Sequence, residues 1–190
     1  ALVKSYDFGS GTRPSPKEAY RWHSAAAESG DLDGKYSLAL CYLEGIGVKR
    51  DAAEGARRLA QLVRSRDACI QCALGLCYRR GWGVRKDLRK GFLLLLRAAR
   101  QGLAYAQFSV GVCYSRAEGT KRNREGAFQW YLRAARQGDS DAQYDVGHDL
   151  EHGKGTARDL KRAVRWYEKA AAAGDLDAKA ALRRLNRKRK

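Results

Sequence analysis

The chain contains no methionine, and its acids are few beside its bases: 21 Asp and Glu against 38 Lys and Arg in 190 residues. Without methionine, Ala1 is not an unprocessed translation start, and the chain is expected to be a fragment of a longer protein. No stretch alternates apolar and polar residues as a half-buried strand would, so no sheet is expected. No apolar run approaches the length of a membrane-spanning helix, so no integral membrane segment is expected. No signal peptide is visible, although a missing N-terminus would hide one. The sequence lacks a nucleophile–base–orienter set, a glycine-rich phosphate loop and a zinc-protease signature. An enzyme, a cofactor and a small-molecule ligand are therefore not expected. Motifs of known nucleic-acid-binding domains are absent as well.

What the chain does have is a period. Gly11, Gly47, Gly83, Gly119 and Gly155 recur at a step of 36 residues without insertion or deletion. Tyr6, Tyr42, Tyr78 and Tyr114 keep the same step, with Leu150 closing the series. So do Asp51, Asp87, Asn123 and Asp159, and so do Gly30, Gly102, Gly138 and Gly174, with Arg66 filling the gap. A fixed period in this range marks a stacked repeat array. Such an array presents an extended surface, and its ordinary business is binding.

One unit reads as two helices. Phe108, Val110, Gly111, Val112 and Tyr114 form an apolar face at helical spacing, which predicts a first helix (helix A) broken by Gly119. Ala127, Phe128, Tyr131, Ala134 and Ala135 predict a second (helix B), with Gly138 placed for a left-handed C-terminus. Small residues share columns: Ala39, Gly75, Gly111 and Gly147 in helix A, and Ala19, Gly55, Gly91, Ala127 and Ala163 in helix B. Glycine inside a helix costs roughly 1 kcal/mol relative to alanine, so its recurrence predicts close helix approach. Ser15-Pro16-Lys17-Glu18 predicts a helix start with a capping box. The fold class expected is all-α.

The loops Gly45-Ile-Gly-Val-Lys-Arg-Asp51, Gly81-Trp-Gly-Val-Arg-Lys-Asp87 and Gly153-Lys-Gly-Thr-Ala-Arg-Asp159 resemble those of SEL-1-like repeats. The helix B segments Trp130-Tyr-Leu-Arg-Ala-Ala-Arg-Gln-Gly138 and Trp166-Tyr-Glu-Lys-Ala-Ala-Ala-Ala-Gly174 resemble them too. The resemblance covers nearly the whole chain. It implies a right-handed α-solenoid of stacked antiparallel helix pairs, with A helices lining a concave side, and adaptor or scaffold roles. The expected division is a partial N-terminal repeat at 1–32, repeats at 33–68, 69–104, 105–140 and 141–176, and a C-terminal helix with a basic tail at 177–190. The second copy departs most, with Arg58 for the helix B tryptophan and Arg66 for the closing glycine.

The net charge of +17 points to an anionic partner: an acidic protein surface, or RNA in a ribonucleoprotein such as an organellar ribosome. A solvated surface without such a partner is the plainer alternative. Lys49-Arg50, Arg85-Lys86 and Lys121-Arg122 recur in the A-to-B loops, thickened by Arg79, Arg80 and Arg116. A second ladder, including Arg97, Arg133 and Lys169, lies on helix B. Acids such as Asp31, Asp67, Asp139 and Asp175 gather just ahead of helix A, where the macrodipole favours them.

Candidate partner-binding residues are those that break their column. Trp82 takes a variable loop slot inside the basic stretch; it can stack on a base, anchor a protein interface, or fold back between repeats. Leu93 takes a slot held elsewhere by Arg21, Arg57, Gln129 and Arg165. The family's concave face would carry Ser37, Cys41 and Glu44; Ala73, Cys77 and Arg80; Ser109, Cys113 and Arg116; and Asp145, Asp149 and His152. His148 and His152, with Asp145 and Asp149, read either as a metal or basic-peptide site or as polar variation on an end repeat. Cys41, Cys77 and Cys113 occupy one column, and Cys69 and Cys72 form a C-x-x-C without a βαβ context. Structural thiols and a reducing intracellular compartment are expected. The secreted cysteine-rich relatives leave a hydrolase-like activity as a minor alternative.

Overall fold

The structure, a computed structural model, describes residues 15–187. The expected first half-repeat around Leu2, Tyr6 and Gly11, and the last basic residues from 188 onward, lie outside them. Among the described residues there are ten α-helices and no strand. They are α1 (Pro16–Glu28), α2 (Leu32–Glu44), α3 (Ala52–Leu62), α4 (Ala68–Arg80), α5 (Leu88–Arg100), α6 (Ala104–Arg116), α7 (Arg124–Arg136), α8 (Ser140–His152), α9 (Leu160–Ala172) and α10 (Leu176–Arg187). A short 3₁₀ turn, Val63–Ser65, follows α3. The described residues form two compact units, one up to Leu94 and one from Leu95 on, whose boundary falls inside α5.

The columns of the repeat are explained by how the helices start and stop. The Asp51 column caps helix B: Asp51, Asp87, Asn123 and Asp159 accept from the amides of Glu54, Lys90, Gly126 and Arg162 at 2.8–2.9 Å. Each such cap is worth about 1 kcal/mol. The backbone amides of these four residues donate in turn to the carbonyls of Tyr42, Tyr78, Tyr114 and Leu150. That bond is made by backbone, so leucine can stand in the tyrosine column. The acids ahead of helix A are caps as well: Asp31, Asp67, Asp139 and Asp175 receive amides of Gly34, Ile70, Ala142 and Ala178. Ser15 and Glu18 form the expected capping box on α1.

Helix A does not end at the Gly119 column. Gly45, Gly81 and Gly153 end α2, α4 and α8 in the left-handed region, and in α6 that place is taken by Ala117 at φ 60°. The glycine two residues later has a different task. Gly47, Gly83 and Gly155 also have positive φ, and each lies against the first residue of helix B in the preceding repeat. A Cβ on Gly83 would sit 1.8 Å from the Ala52 carbonyl oxygen, and one on Gly155 would sit 2.1 Å from that of Arg124. No other residue type fits there.

Close approach within pairs follows the small columns. A Cβ on Gly55 would meet the Ala39 carbonyl oxygen at 2.7 Å, so α2 and α3 are in near backbone contact. Gly111 and Gly147 make room for the rings of Tyr131 and Tyr167. In the first unit Leu40, Leu43, Leu59, Ile70, Leu74 and Cys77 form the core. In the second, Phe128, Tyr131, Val146, Leu150, Tyr167 and Ala181 do so. The Glu151 carboxylate, beneath α9 and α10, accepts from the Tyr167 hydroxyl at 2.9 Å and the Arg184 guanidinium at 2.7 Å. Burial would raise its pKa, but those two donors outweigh it and the net shift is downward.

Two substitutions at these turns should move stability in opposite directions. Gly83→Ala meets both positive φ and the Ala52 carbonyl, and is expected to cost more than about 2 kcal/mol. Ala117→Gly relieves a left-handed alanine and is expected to gain about 1 kcal/mol. Urea denaturation of the three proteins checks both signs.

Candidate interaction surface

In the first unit the expected site residues lie on the A-to-B loops and at the start of α5. Arg50 is exposed, but its Nε donates to the Leu43 carbonyl at 3.0 Å, closing the C-terminus of α2. Arg158, in the same column, closes α8 on the Glu151 carbonyl in the same way. A cation at a helix C-terminus is favourable, so Arg50 and Arg158 have a folding role that spacing alone did not reveal. Arg85 and Lys86 are exposed and make no ion pair among the described residues. Leu93 is 45% exposed on α5.

Trp82 is half-buried and packs against the core of the first unit. The Arg80 guanidinium lies 4.5 Å from its ring centroid, a cation–π contact. The Trp82 amide also donates to the Cys77 carbonyl, locking the turn. These contacts favour the fold-back reading of the indole.

The columns expected to line a concave face are mostly closed. Ser37, Cys41, Ala73, Cys77, Ser109 and Cys113 are all 6% exposed or less. Ala73 and Cys77 belong to the core with Leu40 and Leu43, because α4 turns that column onto α2 and α3. Burial pushes the Cys41 and Cys77 thiols up to about 11 and Cys72 to about 12, so they stay protonated and unreactive. Cys69 is exposed, and all five cysteines are free. From these columns Glu44, Arg80, Arg116 and His152 are exposed, and Asp145 and Asp149 are half-buried.

In the second unit Arg122 is exposed, beside Thr120, Lys121, Asn123 and Arg124 in a shallow depression over Tyr114. On α8 the structure gathers Asp145, Asp149, His148 and His152. Asp145 is half-buried; desolvation and the neighbouring Asp149 charge push its carboxyl up to about 6, with His148 and, less, Arg116 partly offsetting them. His148 Nδ1 is 3.6 Å from Asp149 Oδ1. The His148 and His152 rings pack at 4.4 Å, and His152 Nδ1 bonds the His148 carbonyl at 2.9 Å. Among the described residues no group of three or more His, Cys, Asp or Glu side chains is placed to hold a metal ion. No described helix is long and apolar enough to cross a membrane.

Stacked helix pairs bonded loop to helix define an α-solenoid of the repeat-protein class. The Sel1 repeat model matches residues 4–31, 32–62, 71–103, 104–139 and 140–175, and the chain belongs to the Sel1 repeat family. Sel1 repeats generally mediate protein–protein interaction and typically act as non-catalytic scaffolds. A Sel1 repeat protein from Oxalobacter formigenes is 30% identical with a TM-score of 0.80, over 86% of this chain and 67% of its own. The protective antigen c5321 of uropathogenic Escherichia coli, which displays an SLR fold, is 33% identical with a TM-score of 0.79 over 88% of this chain. This chain spans 36% of that antigen's length. Helicobacter pylori cysteine-rich protein B, at 24% identity and a TM-score of 0.53, covers 67% of this chain with 96% of its own and shares the fold. No curated protein matches the sequence.

The Asp145 environment yields a pH signature. Its folded pKa lies above the unfolded value, so the stability it contributes is complete below about pH 4 and is lost as pH rises through about 6. Asp145→Asn should therefore stabilise the protein by about 1–3 kcal/mol at pH 7.5 and hardly at all at pH 4. Melting curves at the two pH values decide it.

Proposed function

We propose that this chain is a non-catalytic protein–protein interaction scaffold, an adaptor subunit whose partner is acidic. The observation that carries this reading is a set of exposed cations with no carboxylate among the described residues in ion-pairing reach: Arg85 and Lys86 in the first unit, and Arg97, Arg100, Lys121, Arg122, Arg136 and Arg165 in the second. Folding takes no ion-pair energy from them, so their charge is free for a partner. An acidic protein surface would meet them across a polar rim and gain mainly in association rate and specificity. Arg50 and Trp82 are better understood as parts of the loop, given the bonds they make inside the first unit.

The competing reading is a ribonucleoprotein component, supported by the cluster of Lys121, Arg122 and Arg124 around the depression over Tyr114. A phosphate backbone held by several cations gives affinity that falls steeply with salt.

A pull-down with and without nuclease, at two salt concentrations, separates them. Protein partners that survive nuclease are expected, and replacing Arg85, Lys86, Lys121 and Arg122 by glutamate should reduce their capture at least tenfold while leaving the melting temperature nearly unchanged. Capture lost on nuclease treatment, with RNA co-purifying from the untreated sample, would overturn the scaffold reading in favour of the ribonucleoprotein.

A further inference from the structure

Three column breaks fall on one spot in the first unit. In the second unit helix B carries Trp130 on α7 and Trp166 on α9, each half-buried beneath a cation one turn on: Arg133 and Lys169, both 4.5 Å from the indole. Leu96 and Leu132 stand on the preceding helix B in each case. On helix A, Gln107 and Gln143 are buried and donate to the carbonyls of Ala99 and Ala135. The same three positions between α1 and α3 are Arg58 for the tryptophans, Ser24 for the leucines and Lys35 for the glutamines. Each exchange removes bulk or an inter-helix bond.

The arginine does not refill the space. Glu54 draws it aside, accepting from Arg58 Nε at 2.6 Å, and the guanidinium lies 5.0 Å over the Tyr42 ring. Glu54 also holds Arg57, whose hydrogen bond leads the interactions that keep its carboxyl near 2, so the clamp persists at any physiological pH. What remains is a cleft of about 270 Å³ between α1, α2 and α3. Leu38, Leu62 and Ala27 give it an apolar wall, and Ser24, Glu28, Lys35, Arg58 and Gln61 line its polar side. Lys35 makes no ion pair among the described residues.

We propose that this cleft is a docking site for a tryptophan side chain presented on an acidic segment of a partner protein. The inference rests on the protein-binding reading above. The chain shows in two other repeats how this position holds a half-buried indole under a cation, with Trp166 packed against the core as well. Here the indole and its covering cation are missing, with Arg58 and Gln61 in their places, while the apolar wall remains and Lys35 supplies a cation beside it. Lys35 and Arg58 favour carboxylates beside the incoming ring, and the Glu28 carboxylate offers an acceptor to its N–H. An aromatic anchor in a pocket rimmed by charge is the arrangement that concentrates binding energy at protein interfaces.

The probe is a blocked pentapeptide, Asp-Glu-Trp-Glu-Asp, titrated into the full chain by calorimetry and followed by NMR at the Leu38 and Leu62 methyls. Binding with shifts at both leucines is expected, and alanine for the peptide tryptophan should weaken it at least tenfold. The double variant Ser24→Leu/Arg58→Trp rebuilds the filling seen around Trp130. It should lose at least tenfold in affinity with an unchanged or higher melting temperature. Ser24→Leu alone, which fills the cleft and keeps both cations, is expected to weaken binding severalfold, whereas a merely electrostatic site would bind it nearly as before. No binding at millimolar peptide, or equal binding by the filled variant, would overturn the docking site. Neither result touches the scaffold reading, which stands or falls on the nuclease-treated pull-down.

Discussion

The rest of the structure depends on a contact between a loop glycine and a helix end. Gly47, Gly83 and Gly155 each press a bare Cα against the first residue of helix B one repeat earlier, at a distance that leaves no room for a Cβ. This contact fixes how far one helix pair stands from the next within each unit. Everything periodic in the chain follows from keeping it. The loop must always have the same length, so the 36-residue step admits no insertion. The loop must also turn back at the same point, which the amide of the Asp51 column secures by bonding the carbonyl of the Tyr42 column. Side-chain identity elsewhere can drift while these backbone contacts persist.

The period, the helix pairs and the closing glycines were legible in the sequence because they are backbone demands repeated five times. Glycine at Gly30, Gly102, Gly138 and Gly174 names a left-handed φ, and the structure has it, with Arg66 adopting the same region in the second copy. Other features were not legible. A cysteine column at helical spacing reads the same whether it faces a groove or a core, and Cys41 and Cys77 face a core. Arg50 reads as surface charge because its seven-residue reach back to the Leu43 carbonyl is a property of the folded loop. Gly119 looked like the helix breaker, since only three-dimensional tracing assigns that task to Ala117.

The candidate residues defined by charge and those defined by shape are placed differently. Arg85, Lys86 and Arg122 are as exposed as a polar loop implies. Trp82 is tied to its own unit by Arg80 and the core, a contact that sequence could pose only as one of three possibilities. The cleft beside Arg58 was half legible. The loss of tryptophan in the second copy is visible in the sequence, but the cavity also needs Ser24 and Lys35, which come from the neighbouring helices. Comparing columns across all repeats, rather than asking which residue is unusual in one, is the signal that finds it.

The bonds that tie neighbouring repeats are short in sequence. The Gln137 side chain reaches back 35 residues to the Gly102 carbonyl, and Arg184 reaches 33 to Glu151. Within repeats the loop amide reaches back only nine residues, as from Asp51 to the Tyr42 carbonyl. A topology this local carries little loop-closure entropy before contacts repay it, and such chains fold fast. It also has no single nucleus that must form first. Each helix pair can therefore acquire its structure as soon as it and its predecessor have emerged from the ribosome, in the order in which they are synthesised.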